Sequence, residues 1–288
     1  MISCLHNILV EKERYTVLAH MLSDLRLYQR LVVLQLRTQA QYKLNVFVDI
    51  GASFAMTCLE FFGVWVYFGT FPSMLGWKVG EVALLYGLMS MSFGMAELFG
   101  AGIDMFPEII RLGDFDRMLL RPAAPLTLVV GSDFRLRRLG RISQGIVTFG
   151  FALYLLPDLH WTWLKLMVLP IGIVSGALIF ISLLLLGATL CFWTVETTEL
   201  TNILTYGGRE MLSYPLTIYN QTLQRIFLFV VPLAFGSYVP ACYILGRPLP
   251  FGLPSQSAFG APLVALLFAW VTRLIWDFGV RHYQSTGS

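Results

Sequence analysis

The chain has 288 residues, 57% of them hydrophobic and 13% charged, against roughly 45–50% and 25% in an average soluble domain. That composition excludes an ordinary water-soluble globule, and a net charge of +3 without any basic tract argues against a nucleic-acid partner. Four scattered cysteines (Cys4, Cys58, Cys191 and Cys242), with no Cys-x-x-Cys pair, indicate neither a disulfide framework nor a zinc site.

Met1 to Lys43 has no apolar core long enough for a cleavable signal peptide, being broken by Glu11, Lys12, Glu13, Arg14 and Asp24. The first span is therefore expected to act as the insertion signal. Ser23–Leu44 carries a two-faced helical pattern: Arg26, Arg30, Arg37 and Gln41 recur at spacings of four and seven, while Leu27, Leu31, Val33 and Leu34 fill other faces. Such a pattern fits a helix lying in the headgroup plane with its cations toward anionic lipid, or an ordinary amphipathic helix of a soluble segment. Five apolar stretches follow: Val46–Phe71, Val82–Phe106, Ile142–Leu156, Leu164–Val195 and Pro262–Val280. The fourth exceeds the ~20 residues that a bilayer core requires, so it is expected to tilt or protrude.

Between the fourth and the last stretch two readings stay open. Hydropathy selects Ile226–Leu245, despite Pro232 and Pro240. Alternatively the more polar Thr198–Tyr219 crosses, and Ile226–Leu245 dips into the outer leaflet and returns. Irregular backbone at that depth requires protein or a wet cavity around it. Either reading gives an all-α membrane protein with six crossings and both termini on one side.

Lys and Arg set the orientation. Residues 1–45 hold six (Lys12, Arg14, Arg26, Arg30, Arg37, Lys43) and residues 105–142 hold seven (Arg111, Arg117, Arg121, Arg135, Arg137, Arg138, Arg141), against Lys78, Lys165 and Arg247 on the other side. The excess places both termini and the long central loop in the cytoplasm, with Trp77, Trp161 and Trp163 at the outer boundary. The expected organisation is a cytoplasmic N-terminus with its interfacial helix over 1–45, a membrane domain over 46–280 with a cytoplasmic loop over 105–141, and a cytoplasmic tail over 281–288.

Motifs for bond chemistry are missing. There is no Gly-x-x-x-x-Gly-Lys loop for ATP phosphates, no His-Glu-x-x-His and no Gly-x-Ser-x-Gly, and the four histidines lie far apart in sequence. Gly172-Ile-Val-Ser-Gly176 is a small-xxx-small match that reads as a helix-packing contact.

The central loop is the most informative segment, running from Pro107 to Pro125. Ile109, Ile110, Leu112, Phe115, Met118, Leu119 and Leu120 alternate with charges of both signs, consistent with a short amphipathic helix before Gly113 and another ending at Arg121-Pro122. Pro122 forces Arg121 out of helical geometry and gives the second piece a hard stop. A surface of this kind suits either headgroup anchoring or a cytoplasmic partner.

The run Glu108-Ile-Ile-Arg-Leu-Gly-Asp-Phe-Asp-Arg-Met-Leu-Leu-Arg-Pro-Ala-Ala-Pro125 resembles the first cytoplasmic loop of bacterial ABC exporter permeases, in a branch of the type-2 ABC permease superfamily. The amphipathic helix before the first span agrees, as do Tyr214-Pro-Leu-Thr-Ile-Tyr219 with Val231-Pro-Leu-Ala-Phe235, and Tyr283-Gln-Ser-Thr-Gly-Ser288. The resemblance implies the permease half of an ATP-driven exporter in the bacterial inner membrane. It implies a coupling helix within 107–121 docking on a separate ABC ATPase subunit, with Glu108, Arg111, Gly113, Asp116, Arg117, Arg121 and Pro122 in the docking element. It also implies an outer re-entrant hairpin before the last span, which favours Thr198–Tyr219 as the fifth. ATP and Mg would then sit on the partner subunit, this chain binding no cofactor itself. A second permease chain, identical or related, would complete the pathway.

Charges inside the spans need partners. Glu60 lies mid-way along the first span, Glu97 low in the second, and Arg209 and Glu210 fall inside the fifth if Thr198–Tyr219 crosses. These four read as lining a pathway or an interface, since a charge in hydrocarbon costs at least ~2.5–3.5 kcal/mol. Arg209 and Glu210 point about 100° apart on a regular helix, so each is expected to find partners elsewhere. Arg273 and Asp277, one turn apart in the last span, read as a structural ion pair. Two competing functions are an ion-coupled carrier or channel without an ATPase, and a membrane-embedded enzyme.

Overall fold

The computed structural model describes residues 23–71, 73–194 and 202–284. Pro72, most of the N-terminal segment, the end of the fourth predicted span with the start of Thr198–Tyr219, and the tail from 285 lie outside the described residues. Among these residues all regular structure is helical, apart from one isolated bridge between Met74 and Trp77. The first helix, α1, covers residues 23–41. It is followed by α2 (Lys43–Thr70), α3 (Val79–Phe99), the short α4 (Ala101–Asp104), α5 (Phe106–Arg111), α6 (Asp114–Leu119) and α7 (Pro125–Val130), then α8 (Leu139–Leu155) and α9 (Trp163–Leu190). The C-terminal part holds α10 (Gly208–Leu212), α11 (Gln221–Arg225), α12 (Tyr238–Leu245) and α13 (Ala261–His282). Among the described residues four helices are long and apolar enough to cross a membrane: α2, α3, α9 and Ser255–His282, which contains α13. With 17 residues, α8 is about 25 Å long and falls below that length.

Helix α3 is the axis of the bundle, packed on α8 and α9, while α13 packs on α9 and α2 lies outside against α8. Gly80, Gly87 and Gly94 recur every seven residues along α3 and face α8. A Cβ at Gly87 would sit 3.0 Å from the Phe149 nitrogen and 3.1 Å from the Gly145 carbonyl oxygen. Only glycine lets two backbones approach that closely, which is how helices associate where apolar burial offers no drive. The contacts also set direction. Gly80 meets Leu155 and Gly94 meets Ile142, so α3 and α8 are antiparallel; Gly279 meets Thr189 and Phe192 near the C-terminal ends of α13 and α9, so those two run parallel.

The stretch that hydropathy offers as one span, Ile226–Leu245, is not a continuous helix. It breaks into a π turn (Ile226–Val230), a 3-10 turn (Leu233–Gly236) and α12. Pro232 and Pro240 lack the N–H that a continuous ladder needs. Gly236 and Pro240 lie against Gly176 and Gly172 of α9, and Ser92 of α3 donates to the Gly236 carbonyl at 3.3 Å. The chain then returns to the N-terminal end of α3, where the Arg247 guanidinium makes two 2.8 Å bonds to Glu81, donates to the Gly76 carbonyl and stacks 4.4 Å from the Trp77 ring centroid. The Glu81 hydrogen bonds hold Arg247 above its ordinary pKa range. Glu81 also caps α3 by accepting from the Lys78 N–H at 2.8 Å.

Candidate functional site

Two regions bring the sequence-predicted residues together. The first is the turn from α5 to α6. Gly113 adopts φ +70°, a left-handed conformation natural to glycine, and it folds α6 back so that Phe115 points inward. Phe115, Phe106 and Trp276 are fully buried, with Phe192 and Tyr283 completing the cluster. Ring centroids lie 5.2 Å apart for Phe106 and Phe115, 5.0 Å for Phe106 and Trp276, and 5.1 Å for Phe115 and Tyr283. This aromatic plug joins α5 and α6 to the ends of α9 and α13, each close pair adding about 0.5–1.5 kcal/mol beyond burial. Tyr283, at the start of the C-terminal string, therefore meets the central loop in space.

Polar residues of the element divide by neighbour. Glu108 pairs with Arg111 at 2.7 Å and Arg117 with Asp114 at 3.0 Å, both on exposed surface. Asp116 faces Tyr283; burial first, then the hydrogen bond to that carboxylate, raises the tyrosine's pKa. Arg121 and Pro122 are exposed at the end of the element. Beside them Leu120 is 87% exposed, with Leu112 and Leu119 also open.

The second region is a seam of charge within the bundle. Glu97 is buried, its side chain 3% exposed, and takes two arginines: Arg138, which ends the 3-10 turn before α8, and, at 3.0 Å, Arg141 in the first turn of α8. Tyr206 donates to Glu97 at 3.3 Å, and Asp104 stands 3.9 Å from Arg138. Nearer the middle of α2, Glu60 accepts from Arg209 at 2.9 Å and from the Tyr86 hydroxyl at 3.3 Å. Arg209 also contacts its neighbour Glu210, a pairing that regular helical spacing disfavours and that occurs just after the π turn Ile203–Gly207. The Phe93 ring links the two groups, with Arg141 at 5.2 Å and Arg209 at 5.7 Å from its centroid. Such cation–π contacts strengthen when desolvated. Arg273 and Asp277 lie 3.1 Å apart and half exposed.

Sequence reasoning missed Arg138, Arg141, Tyr206, Tyr86 and Phe93 as members of this seam. The two arginines counted only toward orientation. Their signal was the spacing of three, which puts both on one face at the mouth of a span. It equally missed Arg247 with Glu81, since 166 residues separate them. Among the described residues no group of His, Cys, Asp or Glu could hold a metal ion.

Comparison with known families matches residues 54–287 to a model described as ABC-2 family transporter protein. Neither curated proteins nor solved structures give a match.

Proposed function

The chain belongs to the ABC-2 transporter family, a membrane permease subunit rather than a catalytic one, and from that premise we propose that it forms half of an ATP-driven exporter, driven by a separate ATPase subunit through α5 and α6. The observation that carries this reading is the aromatic plug under Gly113. A push on α6 from the cytoplasm has no soft joint to absorb it, because Phe115 is wedged among Phe106, Phe192, Trp276 and Tyr283. The displacement passes to the ends of α9 and α13, and so to the exposure of a cavity between permease halves.

In this reading the chain crosses a bacterial inner membrane six times, with both termini inside. Parallel α9 and α13 support that count, because the intervening chain has to return across the bilayer once. Residues 202–218 with α10 would make the return, and Ile226–Leu245 would be a re-entrant hairpin. The hairpin is supported by Gly236 meeting Ser92, thirteen residues along α3 from Val79 and so about 20 Å deep, before Arg247 regains the Glu81 end. A second chain, identical or related, would cover the outer face of α2, where Glu60 is 39% exposed at mid-span and hydrocarbon alone is a poor neighbour. Helix α1 would lie on the lipid headgroups.

Replacing Phe115 by Ala tests the coupling. In proteoliposomes holding the chain with its co-purified ATPase, transport is expected to drop at least about tenfold, from loss of some 3–5 kcal/mol of packing at the joint, while ATP hydrolysis persists. Transport by the purified chain alone, independent of nucleotide, would overturn the reading in favour of an ion-coupled carrier, for which the charged seam would then be the pathway.

A further inference from the structure

Beside α5 and α6 runs a groove of about 420 Å³ whose far wall belongs to another part of the chain. The floor is apolar, made by Met105, Ile109, Leu112 and Met118, and the far wall is the turn over residues 132–135. That wall is held from α1. Gln35 Nε2 donates to the Ser132 carbonyl at 3.0 Å; the Gln39 amide donates to the Phe134 carbonyl, and its Oε1 accepts from the Leu136 N–H at 3.0 Å. At Gly131 a Cβ would lie 2.5 Å from Leu31 Cδ1, so α1 seats directly on the chain that leads into the turn. Arg135 pairs with Asp133 at 2.6 Å and reaches the Met105 sulfur at 3.6 Å, tying wall to floor.

Three carboxylates and three arginines line the groove, but they do not all pair with one another. Glu108, Asp114 and Asp133 are each matched by an arginine, Arg111, Arg117 and Arg135. Arg121 has no carboxylate partner among the described residues, although it lines the same groove. An apolar floor beside one unmatched cation is complementary to an apolar side chain flanked by a carboxylate.

We propose that the ATPase contact of this permease is this two-walled groove and not the α5–α6 surface alone. The groove takes an apolar side chain of the ATPase subunit, the adjacent carboxylate pairs with Arg121, and Gln35 and Gln39 are positioning residues that hold the second wall from the interfacial helix. The proposal rests on the permease–ATPase reading above. One consequence is that the seating of α1 and the affinity for the ATPase are linked, since both act on the same turn.

The experiment measures binding of the ATPase subunit that co-purifies with the wild-type chain, titrated onto purified variants in nanodiscs. Arg121→Glu, at an exposed position that folding does not depend on, is expected to weaken binding at least about tenfold, and Arg121→Lys to restore most of it. Met118→Trp, which fills the groove, is expected to give a similar loss. Gln39→Leu is expected to weaken binding severalfold, and combined with Arg121→Glu to cost less than the two separate losses together, because both act on one groove. Wild-type affinity in both Arg121→Glu and Met118→Trp overturns the groove while leaving the ATPase pairing intact. Full additivity in the double variant overturns the positioning role of Gln39. A wild-type chain that binds no ATPase overturns the groove and the functional reading together.

Discussion

Helices α2 and α3 have the same mean hydropathy over their most apolar windows, yet 6% of one window and 89% of the other is buried within the chain. Apolarity determines that both enter a bilayer; it does not determine what either touches once there. Lipid tails are as apolar as leucine, so helices associate through close backbone approach and polar contacts. On α3, Gly80, Gly87 and Gly94 all meet neighbouring chain, whereas Gly51, Gly63 and Gly69 of α2 have nothing among the described residues within 4 Å of where a Cβ would stand. The two carboxylates follow the same division. Glu97 of α3 is enclosed by arginines, while Glu60 of α2 keeps one arginine and an open side.

The contrast can be broken at several points. Glu97→Gln leaves two desolvated arginines facing a neutral amide and is expected to cost the most, about 3–5 kcal/mol, read as a lower thermal midpoint in detergent. Gly87→Leu comes next: forcing α3 off α8 is expected to cost about 1–3 kcal/mol or more. Glu60→Gln removes one charged partner from Arg209 but leaves Glu210, so a loss near 1 kcal/mol is expected in the same measurement. Gly63→Leu on α2 should change the isolated chain by no more than about 0.5 kcal/mol. If Gly63→Leu proved as damaging as Gly87→Leu, the view of α2 as an outer helix would be wrong.

Much of the fold is legible in the residues. The apolar stretches begin and end within a few residues of α2, α8, α9 and α13, because a helix that satisfies its own backbone is the simplest way to place such a run in lipid. The second stretch is the exception: the sequence expectation runs to Phe106, whereas α3 ends at Phe99 and the chain bends at Gly100 into α4. A Cβ at Gly102 would lie 2.0 Å from the Val129 carbonyl oxygen, so α7 packs into the bend. Apolar residues alone do not reveal that approach. The site is legible only in part. Gly113 and the alternation around it mark a shaped turn, but no local pattern ties Phe115 to Tyr283 or Gln39 to the turn over 132–136.

What the sequence by itself determines here is solvent and secondary structure: membrane residence and apolar helical spans. These follow from sums over neighbouring residues, which hydropathy and spacing record. Tertiary structure alone decides which span is central, which arginines neutralise Glu97, and that α1 supports one wall of the groove beside α6. Those depend on pairings between residues some 40 to 170 positions apart, whose energies come from exact approach and desolvation, quantities that no stretch of chain carries alone.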